Sequence, residues 1–220
     1  MNYYSIPSSI RPFSPLSVAA PATSSPRVEV RTLKVGSSAS LSVFDATGPG
    51  DFAVLESADD VRYISMESTL AGLTTSLRQM PAITAAGGND DDVCGLGRAV
   101  LAFFEEQFSR AIVIKPGSQT VDGNPILWFT DYGNSASTQL SDIRPLPAEF
   151  AELPSRVVPC ALANVVPKNG ALVWPADVQA LFKQLLLKEL KIVVRENQAA
   201  DSLFPRHKVR NTVEPRNDGY

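Results

Sequence analysis

WFTDYGN, residues 128–134, places three aromatic rings around an aspartate, a glycine and an asparagine. Rings that only fill a core seldom crowd the end of a strand. The apolar run ILWF leads into this stretch and small polar residues follow it, so a strand reaches a bend here. Strict alternation would set Phe129 and Tyr132 on opposite faces. The backbone must therefore leave strand geometry near Asp131 for both rings to line one hollow, and Gly133 permits that.

The neighbouring segments read as strands too. GRAVLAFF and FSRAIVI are separated by the polar EEQ, and KPGSQTVDGNP carries two turn signals, Pro116-Gly117 and Asp122-Gly123. With STQLSDIRPL they make four or five short strands between 96 and 144, which fits a small, strongly bent barrel. Upstream, VEVRTLKV, SASLSVFD and FAVLES read as three strands, with Leu41 and Val43 on one face. The period then changes. Tyr63, Met66, Leu70, Leu73 and Leu77 recur every three or four residues, after a cap at Asp59 or Asp60 and before Pro81, which predicts an amphipathic helix.

Downstream, LPAEFAELP reads as one helical turn and RVVPCALANVV as a strand. WPADVQALFKQLLLKE reads as a helix with Val178, Leu181, Phe182 and Leu185 on one face. LKIVVRE reads as a closing strand. The outer pieces are each too short to bury a core alone, so they are expected to pack together around the inserted barrel. The divisions follow: a disordered arm at 1–26, a first outer part at 27–58, a connecting helix at 59–80 and a flexible linker at 81–95. The barrel takes 96–146, a linker and second outer part 147–206, and a polar tail 207–220.

Composition narrows the function. Of 220 residues 44% are apolar, enough for a packed core, and the net charge of −3 advertises neither nucleic acid nor an anionic membrane. Two cysteines without CxxC spacing make no disulfide framework, so a reduced intracellular setting is expected. No signal peptide and no apolar run of roughly 18 residues is evident. Asp90, Asp91 and Asp92 lack calcium-loop spacing and read as a solvated loop. His207 stands in a polar tail, and no phosphate loop, metal cluster or nucleophile motif appears. Neither an enzyme nor a cofactor is expected. Cys160, in an apolar strand, reads as an inert core thiol.

FSRAIVI, the hairpin, WFTDYGN, IRPLPAEFAELP and PCALANVVP together resemble an extended Tudor domain over roughly residues 28–196. The resemblance implies an α+β fold that is mainly β. A five-stranded Tudor barrel is inserted into a staphylococcal-nuclease-like, OB-type subdomain and joined to it by a long helix. The further strand and helix that often complete the nuclease-like half are not evident after Val194.

The resemblance also implies an arginine cage. Phe103, Phe129 and Tyr132 would be its walls and Asn134 the amide that accepts from the guanidinium. Two adjacent phenylalanines leave the register of Phe103 open. A guanidinium is flat, permanently charged and weakly hydrated, and methylation adds apolar surface while keeping the charge, so aromatic faces suit it. The aromatic that the family carries before Arg110-Ala111 is Ser109 here. Phe108, one residue earlier, points to the other face. One side is thus open, and weak discrimination between methylated and unmodified arginine is expected. Trp128, Phe104 and Phe108 read as core, and Asp131 as a structural partner of Arg110.

The partner implied is the arginine-rich tail of a Piwi-family Argonaute, methylated or not, with RNA reached only through that partner. The role implied is that of a non-enzymatic adaptor in piRNA-guided transposon silencing, in cytoplasmic, perinuclear germline granules. Two other readings stand beside it. One is an RNA-binding module using the OB-type half. The other is a scaffold with a degraded cage that docks or self-associates through other segments.

Overall fold

The apolar stripe between Tyr63 and Leu77 becomes the hinge of the molecule. Helix α1 (Val61–Gln79) starts where Asp60 accepts a hydrogen bond from the Arg62 backbone N–H at 3.1 Å, and it ends at Met80, just before Pro81. Tyr63, Met66, Leu70 and Leu77 are buried along it. They share one core with Leu101, Phe108, Ile112 and Trp128 on one side and Ala53, Leu55 and Val157 on the other. One helix thus seals two sheets.

The structure is a computed structural model that describes residues 26–36, 38–55, 60–82, 94–171, 173–186, 190–198 and 206–211. Nearly all of the expected N-terminal arm, the Asp90–Asp92 loop and the tail beyond 211 lie outside the described residues. The first sheet is a closed barrel of order β1-β2-β8-β10-β9, built from β1 (Ser38–Gly48), β2 (Asp51–Leu55), β8 (Val158–Leu162), β9 (Leu190–Gln198) and β10 (Arg206–Asn211). Helix α2 (Ala176–Leu186) packs against β1. The second sheet is inserted between β2 and β8. It contains β3 (Ala99–Phe104), β4 (Gln107–Lys115), β5 (Ile126–Phe129), β6 (Ser135–Ser137) and β7 (Ile143–Pro145), in the order β6-β5-β4-β3-β7. The fold is α+β and mainly β, with a five-stranded sheet inserted in a nuclease-like barrel.

Three expectations are corrected. VEVRTLKV forms no strand. Its alternation instead serves two cores, with Val28 in the shared core beneath α1 and Leu33 in the closed barrel. The chain is held there by the Arg31 N–H on Ser155 Oγ at 2.8 Å and the Ser155 N–H on the Glu29 carbonyl at 2.7 Å. Second, a further strand does exist after Val194. Strand β10, placed partly in what read as a polar tail, pairs antiparallel with β9 and parallel with β8, closing the barrel. Its sequence, RHKVRN, carries no apolar alternation, which hid it. Third, among the described side chains of α2 only Phe182 is buried, against Phe52, while Leu181 and Leu185 are exposed. Val178, one turn earlier, is half-buried.

Candidate functional site

Strand β5 ends at Phe129 and the chain folds back at once. The N–H groups of Tyr132 and Gly133 donate to the Phe129 carbonyl at 3.2 and 2.7 Å, and the Phe129 N–H donates to the Asn134 carbonyl at 2.9 Å. This bend brings Tyr132 beside Phe129 in one cluster. Gly133 has φ of +88°, and a Cβ there would sit 2.3 Å from the Ala53 Cβ of β2. The turn is therefore pressed onto the closed barrel. Trp128, buried, donates its indole N–H to the Gly133 carbonyl at 3.0 Å.

Asp131 is consumed by structure. Arg110, fully buried, donates to both its carboxylate oxygens and to the carbonyls of Phe150, Leu153 and Pro154. A buried carboxylate so bound is no free acceptor for a ligand. Asn134 differs. Its side-chain Oδ1 is buried and has no hydrogen-bond donor among the described residues. Such an orphan acceptor costs stability unless something arrives to satisfy it.

The expected walls divide. Glu105 and Glu106 both have positive φ (47° and 71°), forming a two-residue turn that pairs Phe104 with Gln107 and Phe103 with Phe108. Phe103 therefore points away from the hollow. It lies under Arg78, whose Cζ is 3.7 Å from the ring centroid, and edge-on to buried Phe108 at 5.5 Å. Phe104 takes the inner face instead, with its ring 4.5 Å from Phe129. Phe129 is 0% exposed and is no open wall. A guanidinium held between two rings needs about 7 Å, two contacts of roughly 3.5 Å each. Phe104 and Phe129 leave no such gap, because each fills the other's.

Tyr132 remains half-buried and accessible. Its hydroxyl donates to Glu67 Oε1 at 2.6 Å and accepts from Gln107 Nε2 at 2.8 Å. Burial first, then the hydrogen bond and charge of Glu67, push the phenol up to about 12. Ser109, almost fully buried where the family carries an aromatic, touches the same hydroxyl. Beside them lies a cavity of about 10 Å³, room for one water, lined by Tyr63, Glu67, Ser109, Tyr132 and Arg156 among others. Across the joint, the exposed ring of Phe44 in β1 stands 6.2 Å from that of Tyr132.

Sequence reading missed Phe44, Glu67, Gln107 and Arg156. Glu67 had a signal. It lies four residues after Tyr63 and three before Leu70, which sets a carboxylate on the buried stripe of α1. Cys160 is buried in β8, and burial pushes its thiol up to about 12, well away from reactivity.

Comparison with known proteins fits this architecture. The Tudor domain family model matches residues 33–164, more than half of the chain. Among curated relatives, Tudor domain-containing protein 6 of Homo sapiens is 26% identical over 151 residues, 68% of this chain but 7% of its own length. The probable ATP-dependent RNA helicase spindle-E of Drosophila erecta is 35% identical over 98 residues, 40% of this chain and again 7% of its own. The chain thus spans less than a tenth of these relatives.

Among solved structures, extended Tudor domain TD3 of mouse TDRD1, in complex with a MILI peptide containing dimethylarginine, superposes with a TM-score of 0.63 at 21% identity. The match covers 84% of this chain and 87% of that one. A complex of Tudor with Aubergine gives 0.54 at 25% identity, covering 80% and 92%.

Proposed function

The chain belongs to the Tudor domain family, and from that premise we propose that it is a non-enzymatic adaptor that binds arginine, unmodified or symmetrically dimethylated, in the tail of a Piwi-family Argonaute. The observation that carries this reading is the buried Asn134 Oδ1, without a donor among the described residues and two residues from the half-buried ring of Tyr132. A guanidinium N–H supplies what that oxygen lacks, and the ring supplies a face for the charge. The dimethylarginine peptide on mouse TDRD1 and the Aubergine bound to Tudor support a partner of the Piwi class.

Ser109 supplies no ring where the family carries an aromatic, so methyl groups gain little contact and dimethylation adds little affinity. Binding orders a flexible tail, which holds affinity near micromolar, on the order of other coupled-folding contacts. The proposed setting is piRNA-guided transposon silencing in perinuclear, cytoplasmic germline granules. Titrating the chain with matched arginine and symmetric dimethylarginine peptides tests the reading. Tyr132→Ala and Asn134→Ala are each expected to weaken binding about tenfold or more. Unchanged affinity in Tyr132→Ala counts against it.

One observation favours a second reading, a scaffold whose cage is closed. Phe104 and Phe129 fill the hollow at 4.5 Å. In that case arginine peptides do not bind, and Asn134→Ala changes no interaction of the chain.

A further inference from the structure

Strand β10 is enclosed on both sides, which makes its composition unusual. It pairs parallel with β8 and antiparallel with β9, so neither of its edges is open. Lysine often guards an open strand edge against pairing with another chain, and here no edge needs guarding. Yet RHKVRN carries Arg206, Lys208 and Arg210, and its neighbour β9 adds Lys191 and Arg195. The whole chain has a net charge of −3, so these cations gather against the general balance.

Register sorts them onto one face. In β8, Cys160 is buried in the closed-barrel core and Leu162 packs against that core. His207 pairs with Cys160 and Val209 with Leu162, which places both on the core face. Lys208 pairs with Ala161, so Arg206, Lys208 and Arg210 share the outer face, about 6.6 Å apart along the strand. Arg210 also pairs with Val193 of β9, and Lys191 lies two residues along on that same face. Arg195 is the residue that the bulge in β9 leaves unopposed. Among the described residues of β8, β9, β10 and the stretch of β1 paired with β9, Glu196, opposite Lys208, is the sole carboxylate.

We propose that the outer face of β9 and β10 is a second binding surface, one that takes the phosphate backbone of single-stranded RNA. It is separate from Asn134 and does not rest on the arginine-reader assignment. Cations at every second residue form a straight row, and one carboxylate leaves most of that row unneutralised. A single strand of RNA presents a matching row of phosphates, each of which a guanidinium grips through two oxygens. Phosphates stand at a fixed interval on their own backbone, whereas the carboxylates of an acidic peptide sit on flexible stems and lose rotamer freedom when held. Each neutralised phosphate releases a condensed counterion, which drives binding at low salt. No aromatic residue stands in β9 or β10, so bases find no ring to stack on there. Binding is therefore weak, salt-dependent and tolerant of sequence.

Fluorescence anisotropy of a labelled oligouridine, titrated with the full chain at rising salt, tests this. A dissociation constant on the order of 10 μM is expected at low salt, with log K falling against log salt at a slope of about −2 to −3, as for three or four phosphates. Arg206→Gln, Lys208→Gln and Arg210→Gln combined should weaken binding about tenfold or more and flatten that slope to about −1 or less. Lys168→Gln with Lys183→Gln, at exposed positions elsewhere, should leave both unchanged. If the triple variant loses its urea transition, the single changes decide instead, each expected to reduce the slope by about 0.7. Undiminished binding by these variants, a flat salt dependence, or no binding by the unaltered chain overturns the proposal. Tighter binding of polyglutamate of equal charge also overturns it, and assigns the face to an acidic protein segment.

Discussion

Gly133 is fixed by two constraints that act together. Its φ of +88° disfavours any side chain, and the Ala53 methyl occupies the space a Cβ would need. Gly133→Ala is predicted to cost roughly 2–5 kcal/mol in urea unfolding, the sum of left-handed strain and overpacking. Tyr132, next to it, makes a prediction about pH. Its phenol is raised in the folded state to about 12, against an ordinary value near 10, so folding favours the protonated hydroxyl. That contribution is fully present below pH about 10 and is lost as pH climbs toward 12. Urea midpoints measured across this window should fall more steeply for the unaltered chain than for Tyr132→Phe. At this scale the bend near Asp131 and the need for Gly133 were readable in the sequence, because turn chemistry is local.

Elements tell a more mixed story. The stripe on α1 was legible because four of its apolar positions, Tyr63, Met66, Leu70 and Leu77, are buried at helical spacing. The register of β3 was not. Two adjacent phenylalanines carry equal apolar signal, and only the turn decides which faces inward. Glu105-Glu106 is not a pair that announces positive φ in sequence, as Asn-Gly would. The buried Arg110–Asp131 pair ties β4 to the bend and, through three carbonyls, to the 150–154 segment. Arg110→Met alone is predicted to cost roughly 3–5 kcal/mol, since it strands a carboxylate and three carbonyls. Arg110→Met with Asp131→Leu should lose less than the two single changes summed, read from a double-mutant cycle in urea.

At the scale of the whole molecule, the joint between the two sheets is held by buried contacts. Buried Arg144 of β7 donates to the Leu77 carbonyl at 2.9 Å, so the inserted sheet caps the end of the helix that the closed barrel also packs against. The two halves therefore hold one arrangement, and residues 88 apart in sequence, Phe44 and Tyr132, meet across it. Such long-range pairs leave no trace in local pattern, which is why nothing in the sequence announced that Phe44 meets Tyr132. The central claim is that an arginine side chain is gripped at this joint beside Asn134. The most direct measurement is the side-chain amide resonance of Asn134 during titration with an arginine peptide and a matched lysine peptide. A saturable shift with arginine and little with lysine is predicted. An unmoved amide at saturating arginine peptide would contradict the account.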